Sequence, residues 1–446
     1  MLDVKFVREN LEAVAAGLKR RGVEFDQAGF KAIEEGRRRA LTSVEQLKAQ
    51  KNDLSRQIGI LRRDPTNMVS GLGNSKINDL MGQVNSLSMQ ITDKELEAKK
   101  WEDDLWNLLK NTPNLPHADV PEGLTAEQNR QVRAWGDKPT LPFKPKTHWE
   151  LGEALGVLDF ERAAKITGAR FTVYRGAGAR LERALLNFML DLQTNERGYL
   201  EHQVPLMVNA DSMFGTGQLP KFEEDMFKVP FRAGDDKAEE RNFYLIPTAE
   251  VPLTNLRRGE VLKEEELPLQ YTACTPCFRK EAGAYGKDTK GMVRQHQFNK
   301  VELVKFTTPE TSYEEHEKLV ADAEEVLRRL KLPYRVMLLC AGDMGFGAAK
   351  CYDLEVYHAG TDKWWECSSC SNFEDFQARR ANIKFKGRDG RTRLAHTLNG
   401  SGLATSRLLP AILENYQQAD GSVLVPEALR PYLGGVEKIF APPSGR

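Results

Sequence analysis

Between residues 30 and 108 the apolar positions form two runs of alternating three- and four-residue steps. The first is Phe30, Ile33, Arg37, Ala40, Val44, Leu47, Lys51, Leu54, Ile58 and Leu61; the second is Ile77, Leu80, Val84, Leu87, Ile91, Lys94, Ala98, Trp101, Leu105 and Leu108. Such spacing keeps a single seam on one helix face and predicts a two-helix coiled coil. Folding back through Asp64-Pro65 and the Gly/Ser/Asn-rich stretch to Ser75 sets Leu61 against Ile77 and Phe30 against Leu108, and every pair keeps the same sum of residue numbers. Three seam positions are cationic: Lys51 faces Leu87, Lys94 faces Val44 and Arg37 faces Trp101, where long stems can snorkel or stack and help fix register. Helices over 30–63 and 76–110 are expected, the first seam extending roughly 48 Å at about 1.5 Å per residue. An element of that length is an arm. Its outer half carries Lys48, Lys51, Arg56, Arg62 and Arg63 against Asp53; charge alone fits either a solvated face or an RNA contact.

Before the arm, Asp3, the apolar positions Phe6, Val7, Leu11, Val14 and Leu18, and then Gly22 read as one short capped helix. After it, Pro113, Pro116, Pro121, Pro139, Pro142 and Pro145 mark a poorly periodic connector ending near His148. Three regions follow: a helical domain over 1–112, a connector over 113–148 and a second domain over 149–446. In the last, helices are expected at 178–197, 309–331 and 402–417. Strands are expected at 199–208, 241–247, 268–281, 294–306, 334–340, 351–357, 364–371 and 391–398. Strands follow strands with few crossover helices, which predicts an α+β domain with a mainly antiparallel sheet rather than a doubly wound dehydrogenase fold.

The 446 residues carry 64 Lys plus Arg and 64 Asp plus Glu, so a polyanion would have to meet local patches rather than an overall positive field. No apolar run reaches the roughly 20 residues of a membrane span, and MLDVKFVREN has no signal-peptide core. With six scattered cysteines, a reducing, cytoplasmic location and no membrane partner are expected.

Several tempting motifs fail. Gly342, Gly345, Gly347 and Lys350 lack phosphate-loop spacing, and Gly176-Ala177-Gly178 lacks the third glycine of a dinucleotide fingerprint. Cys274/Cys277 and Cys367/Cys370 each lie within an expected strand, where a three-residue step points the thiols to opposite faces, so no structural zinc is expected. A positive signal comes from residues 268–306, read as a strand, a polar Gly-rich loop and a returning strand. Arg279 and Glu281 share one face of the first strand, Phe298 and Glu302 one face of the second. That surface could present a guanidinium, two carboxylates and a ring together, or simply form a cross-strand ion pair over a core phenylalanine.

Three further segments decide between them: Thr248-Ala249-Glu250, Glu366-Cys367-Ser368-Ser369-Cys370-Ser371-Asn372, and Asn399-Gly400-Ser401-Gly402-Leu403-Ala404-Thr405-Ser406-Arg407. With these, the chain closely resembles bacterial-type seryl-tRNA synthetases, of the class II aminoacyl-tRNA synthetase fold. The resemblance runs over nearly the whole chain, including the arm, NLPH at 114–117, HWELGEALGVLDF at 148–160 and GARLERAL at 178–185. It implies that residues 149–446 form a six- to seven-stranded antiparallel sheet flanked by helices, with the segment 178–208 forming a homodimer.

By the same resemblance, Arg279 and Arg407 are the catalytic arginines of an enzyme that activates L-serine with ATP. Arg279 would hold the α-phosphate, Glu281 would read the adenine amino group, Phe298 would stack on adenine, and Arg407 would cover its other face and reach the γ-phosphate. Lys280, Glu366, Cys367, Ser368 and Ser369 complete the implied ATP site, with Glu366 and Ser369 as Mg2+ ligands. Those two lie an odd number of residues apart, so the strand must bend or bulge to aim them together. Thr248, Ala249, Glu250, Arg279, Glu302, Asn399 and Ser401 are implied for serine. The arm, with Lys48, Lys51, Arg56, Arg62 and Arg63, would reach across the dimer to tRNA(Ser), with tRNA(Sec) a further candidate. Lys280 stands where serine is common in the family, Cys367 where an aliphatic is frequent, and Thr405-Ser406 where small or aliphatic residues usually precede the arginine; none removes a charged catalytic group. A scaffold protein built on an inactive synthetase-like domain is the rival from another class, and an enzyme loading a carrier protein is the closer one.

Overall fold

Leu54, Ile58 and Leu61 pack against Ile77, Leu80 and Val84, the partners that the seam register assigns. The computed structural model describes residues 1–63, 71–231, 241–281 and 290–441. They fall into two compact units, one of residues 2–16 and 24–112, the other of residues 1, 17–23 and 113–446.

The arm unit is helical. The single N-terminal helix expected is two, α1 (Val4–Glu9) and α2 (Leu11–Arg20). Asp3 caps α1 by accepting from the Phe6 N–H at 2.8 Å. Asn10 breaks the run because its side-chain amide donates to the Phe6 carbonyl at 3.0 Å and its own backbone leaves helical geometry. Helices α3 (Gln27–Arg63) and α4 (Gly71–Lys110) form the antiparallel arm. The expected turn at 64–70 lies outside the described residues, whereas 71–75 is already helical, its glycines falling in a first turn whose N–H groups lack intrahelical partners in any case. The cationic seam also differs from expectation. A Cβ on Gly36 would stand 2.6 Å from the Trp101 ring, so glycine, not Arg37, meets the indole. Arg37 instead donates to Glu34 at 2.9 Å, and Arg8 reaches the same carboxylate at 2.8 Å. Burial alone would raise the Glu34 pKa, but the hydrogen bonds from Arg37 and Arg8 outweigh it and hold the carboxyl below its ordinary value.

The other unit is built on an eight-stranded sheet. In chain order its strands are β1 (Arg130–Trp135), β2 (Leu200–Glu201), β3 (Leu269–Phe278), β4 (Gln297–Thr307), β5 (Tyr334–Leu338), β6 (Lys350–His358), β7 (Lys363–Asn372) and β8 (His396–Ala404). They lie side by side as β1-β5-β6-β7-β8-β4-β3-β2. All neighbours are antiparallel except β2 with β3. Strand β1 comes from the segment read as connector. Its side chains are nearly all exposed, so it shows no apolar alternation, and it is identified only by its ladder to β5. The strand expected over 199–208 is two short pieces in different sheets, Leu200–Glu201 and Met207–Asn209, with Pro205 between them unable to donate to a ladder.

Helices α5 (Ala177–Asp191), α6 (Ser312–Arg329) and α7 (Thr405–Asn415) cover one face of the sheet. Strand β4 shows why: Val301 and Leu303 join Leu185, Leu319 and Leu409 in the main core, and two-residue alternation turns Phe298, Lys300 and Glu302 to the other face.

Candidate functional site

On that other face a cavity of about 260 Å³ is lined from β4, β7 and β8, from the residues just after β3, from the first turn of α7 and from more distant loops. Arg279, Glu281, Phe298, Glu366, Arg407, Thr248, Glu250, Asn399 and Ser401 all line it. Residues from Thr216 to Arg407 therefore converge on one cleft, helped by a sheet in which β7, β8, β4 and β3 are neighbours.

Strand β3 ends at Phe278, three residues sooner than expected. The antiparallel pairing carries on for one step, the Arg279 N–H donating to the His296 carbonyl at 2.9 Å. The Arg279 guanidinium then sits 5.4 Å from the centre of the Phe298 ring and donates from Nε to the Pro247 carbonyl at 3.3 Å. Glu281 is no longer on the strand; its backbone takes φ +51, and its carboxylate turns to Arg294 at 3.4 Å. Lys280 does not line the cavity: its side chain is exposed and its N–H donates to Asp225.

The inner end of the cavity holds two buried carboxylates and a buried ammonium. Lys300 Nζ lies 2.5 Å from Glu302 Oε2 and donates to the Thr248 hydroxyl at 2.9 Å. Glu302 Oε1 accepts from Asn399 at 2.9 Å, and Glu250 Oε1 accepts from Gln377 at 2.6 Å. Gln377 is itself oriented by the Thr397 hydroxyl, which donates to its carbonyl oxygen at 2.7 Å. Ser401 Oγ is buried with no hydrogen-bond partner among the described residues. Ala249 is buried in an apolar cluster with Leu253 and Phe306, so it offers the pocket no side chain.

At the other end stands Arg407, in the first turn of α7, whose Nε has no hydrogen-bond partner among the described residues. Burial pushes its pKa down to about 10, an energetic cost that an incoming anion would relieve. Strand β7 carries the expected irregularity. Glu366 pairs with Glu355 but Ser368 with Leu354, so Cys367 is the extra residue of a bulge. The bulge restores a common face to Glu366 and Ser369. Cys367 Sγ donates to the Leu354 carbonyl at 3.3 Å and Ser368 Oγ to the Ser401 carbonyl at 2.7 Å, and both residues line the cavity. Asp353, opposite Ser369, joins the same face, and burial together with the nearby Glu366 pushes its carboxyl well up. Clustered carboxylate and hydroxyl oxygens of this kind suit a hard divalent cation.

Lys300 was within reach of sequence reasoning, since it falls midway between Phe298 and Glu302 on one face. Gln377 had no such signal, and neither did Thr216, Gln218 or the stretch Gly345–Ala348 that closes the rim; they arrive from distant loops. Of the two cysteine pairs, Cys277, Cys367 and Cys370 are buried and Cys274 is half-buried; the metal-ligating cluster found among the described residues is His148, His358 and Glu414. On the arm, Lys48 pairs with Glu95 at 2.7 Å and Arg56 with Asp53 at 2.6 Å. Arg62 reaches the Met81 sulfur at 3.3 Å, Lys51 is half-buried and Arg63 exposed.

Residues 227–416 match the family described as the tRNA synthetase class II core domain (G, H, P, S and T), and residues 1–116 match the seryl-tRNA synthetase N-terminal domain. The chain is 56% identical over 440 residues to a serine–tRNA ligase of Geobacter sulfurreducens, covering 98% of this chain and 100% of the relative. It is 53% identical over 435 residues to one of Thermodesulfovibrio yellowstonii, covering 97% and 99%. Among solved structures it is similar to the seryl-tRNA synthetase of Pyrococcus horikoshii complexed with ATP, with a TM-score of 0.87, 36% identity and coverage of 99% and 100%. The cytoplasmic serine–tRNA ligase of Naegleria fowleri in complex with AMP gives a TM-score of 0.85 at 29% identity, covering 98% of each chain.

Proposed function

This chain belongs to the seryl-tRNA synthetases of the class II aminoacyl-tRNA synthetases, and on that premise we propose that it activates L-serine with ATP and esterifies it to the 3′ end of tRNA(Ser), with tRNA(Sec) as a second acceptor. The observation that carries this is the single cleft in which Arg279 lies against Phe298 at one end and Lys300 joins Glu302 to Thr248 at the other.

In the first step a serine carboxylate oxygen bonds to the α-phosphorus while the bond to the bridging oxygen breaks and pyrophosphate leaves with that electron pair. The carboxylate arrives ionised, so no base is required, and catalysis consists of positioning and charge neutralisation. Arg279, beside Phe298, neutralises the α-phosphate; Arg407 serves the outer phosphates; Phe298 offers its ring to adenine. Glu366 and Ser369, with Asp353 beside them, would hold Mg2+, which when bound neutralises phosphate charge. In the second step a hydroxyl oxygen of the terminal ribose bonds to the seryl carbonyl carbon, the acyl–phosphate C–O bond breaks, AMP departs with that electron pair, and the hydroxyl proton passes to the departing phosphate or to water. The arm supplies tRNA selection across a homodimer by reading backbone and shape, in a cytoplasmic enzyme. No helix among the described residues is long and apolar enough to cross a membrane.

Serine-dependent exchange of radiolabelled pyrophosphate into ATP tests the reading. Serine should support exchange and alanine should fall short by about 10⁴ or more, because a pocket built to bond a hydroxyl is left with an unpaired acceptor. Threonine is excluded by bulk. Exchange that proceeds equally with alanine or glycine would overturn the assignment.

A pH dependence follows from Glu250. Burial, and then the charge of Glu302, pushes its carboxyl up to about 7. Serine presents an ammonium and a hydroxyl, both donors to an ionised carboxylate, so KM for serine should fall about tenfold between about pH 6 and pH 8. Stability runs the opposite way: a folded pKa above the unfolded one means that the contribution is complete below about 4 and lost as pH rises through 7. Initial-rate exchange across that range checks it, and a flat serine KM would remove Glu250 from the pocket.

A further inference from the structure

Outside the cleft, His148, His358 and Glu414 are buried together, with ligand atoms within 4.8 Å of one another. The hydrogen bonds give this cluster a role other than metal binding. The Met292 N–H donates to His148 Nε2 at 3.1 Å, so that nitrogen is the acceptor and the proton lies on Nδ1, which donates to Glu414 Oε1 at 2.6 Å. A cation on Nδ1 would displace that proton to Nε2 and set two donors against each other at Met292. The His148 backbone N–H reaches the same Glu414 oxygen at 3.0 Å. Glu414 Oε2 accepts from the Gly360 and Thr361 N–H groups at 2.7 and 3.0 Å, and His358 Nε2 donates to the Arg407 carbonyl at 3.1 Å.

Three segments that line the nucleotide end of the cleft meet here. Met292 leads directly into Val293 and Gln295 on the cavity wall. Glu414 stands two turns along α7 from Arg407, and Gly360-Thr361 is the turn between β6 and β7, the strand of Glu366 and Ser369. The contact with the first segment is close: Gly291 has φ +78, and a Cβ there would stand 2.1 Å from His148 Nε2. The serine end is held differently, by β4, β8 and the Gln377 helix.

We infer that His148 and Glu414 are positioning residues for the nucleotide half of the site, holding Met292–Gln295, Arg407 and the β6–β7 turn at one mutual spacing. This rests on the adenylation reading above. His148→Asn keeps a donor near the Nδ1 position and removes the acceptor for Met292; His148→Gln keeps an acceptor near Nε2 and removes the donor to Glu414. In pyrophosphate exchange each should raise KM for ATP about tenfold while KM for serine stays within about twofold. A lowered unfolding temperature with both KM values unchanged would mean mere structural support and overturn the inference, as would an equal rise in both. If neither variant folds, Gly291→Ala presses on the same contact from the other side and should give the same split; an unchanged ATP KM would overturn it. Failure of the wild-type protein to exchange with serine would sink the functional reading instead, so the two failures are distinguishable.

Discussion

The Arg279→Lys variant is expected to lose about 10² to 10³ of serine-dependent pyrophosphate exchange, the scale seen when one donor to a transition-state anion is removed. Charge is preserved by this change, so the loss must come from shape. The guanidinium is planar: it lies 5.4 Å from the Phe298 ring centre while Nε is committed to the Pro247 carbonyl at 3.3 Å, leaving its terminal nitrogens as a fork for a pair of oxygens. An ammonium has no plane to stack and cannot keep the backbone contact while presenting two parallel donors. Because the interaction matures as charge develops on phosphorus, the loss should appear chiefly in kcat. Exchange within a few fold of wild type would take Arg279 out of its assigned role.

Replacing residues 41–97 by a short loop should leave serine-dependent exchange within about twofold and lower aminoacylation of tRNA(Ser) by about 10² or more. The cut points, Ala40 and Ala98, are both buried and are register partners, so the foot of the arm keeps Phe30, Leu105 and Leu109 buried. The deletion removes Lys48, Lys51, Arg56, Arg62 and Arg63. Single substitutions should do far less, because Lys48 and Arg56 already spend part of their charge on Glu95 and Asp53, and exposed pairs of that kind contribute only about 0–1 kcal/mol. A salt-dependent residual activity is expected where backbone phosphate contacts dominate. Measuring exchange and aminoacylation on the same preparation separates an arm effect from a folding defect; full aminoacylation by the shortened enzyme would remove the arm from tRNA selection.

The arm was legible because one rule, the 3,4 alternation, runs along it: Leu54, Ile58 and Leu61 meet Ile77, Leu80 and Val84 as it requires, and it gives way at Arg37, where Gly36 meets Trp101. The hairpin face of β4 was legible for a similar reason, since a strict two-residue period places Phe298 and Glu302 together. It also places Lys300 there, although a lone lysine in a strand carries no local mark of burial. Strand β1 was invisible for the opposite reason: its exposed side chains leave no apolar alternation.

Local periodicity and cap chemistry were thus sufficient for the mainly antiparallel fold class and for the arm, whereas the gathering of Thr248, Glu250, Glu366, Ser401 and Arg407 with Arg279 and Glu302 in one cleft was implied by the family resemblance that the ordered motifs carry. Periodicity and capping were sufficient because each depends on neighbours a few positions away along the chain. Contacts between distant segments were out of their reach: Gln377 on Glu250, the Cys367 bulge that brings Glu366 and Ser369 to one face, the turning of Arg37 to Glu34, and the hydrogen bonds joining His148 to Met292 and Glu414. Those depend on which strands lie side by side and on where a buried donor finds its acceptor, and neither is written in the spacing of any single segment.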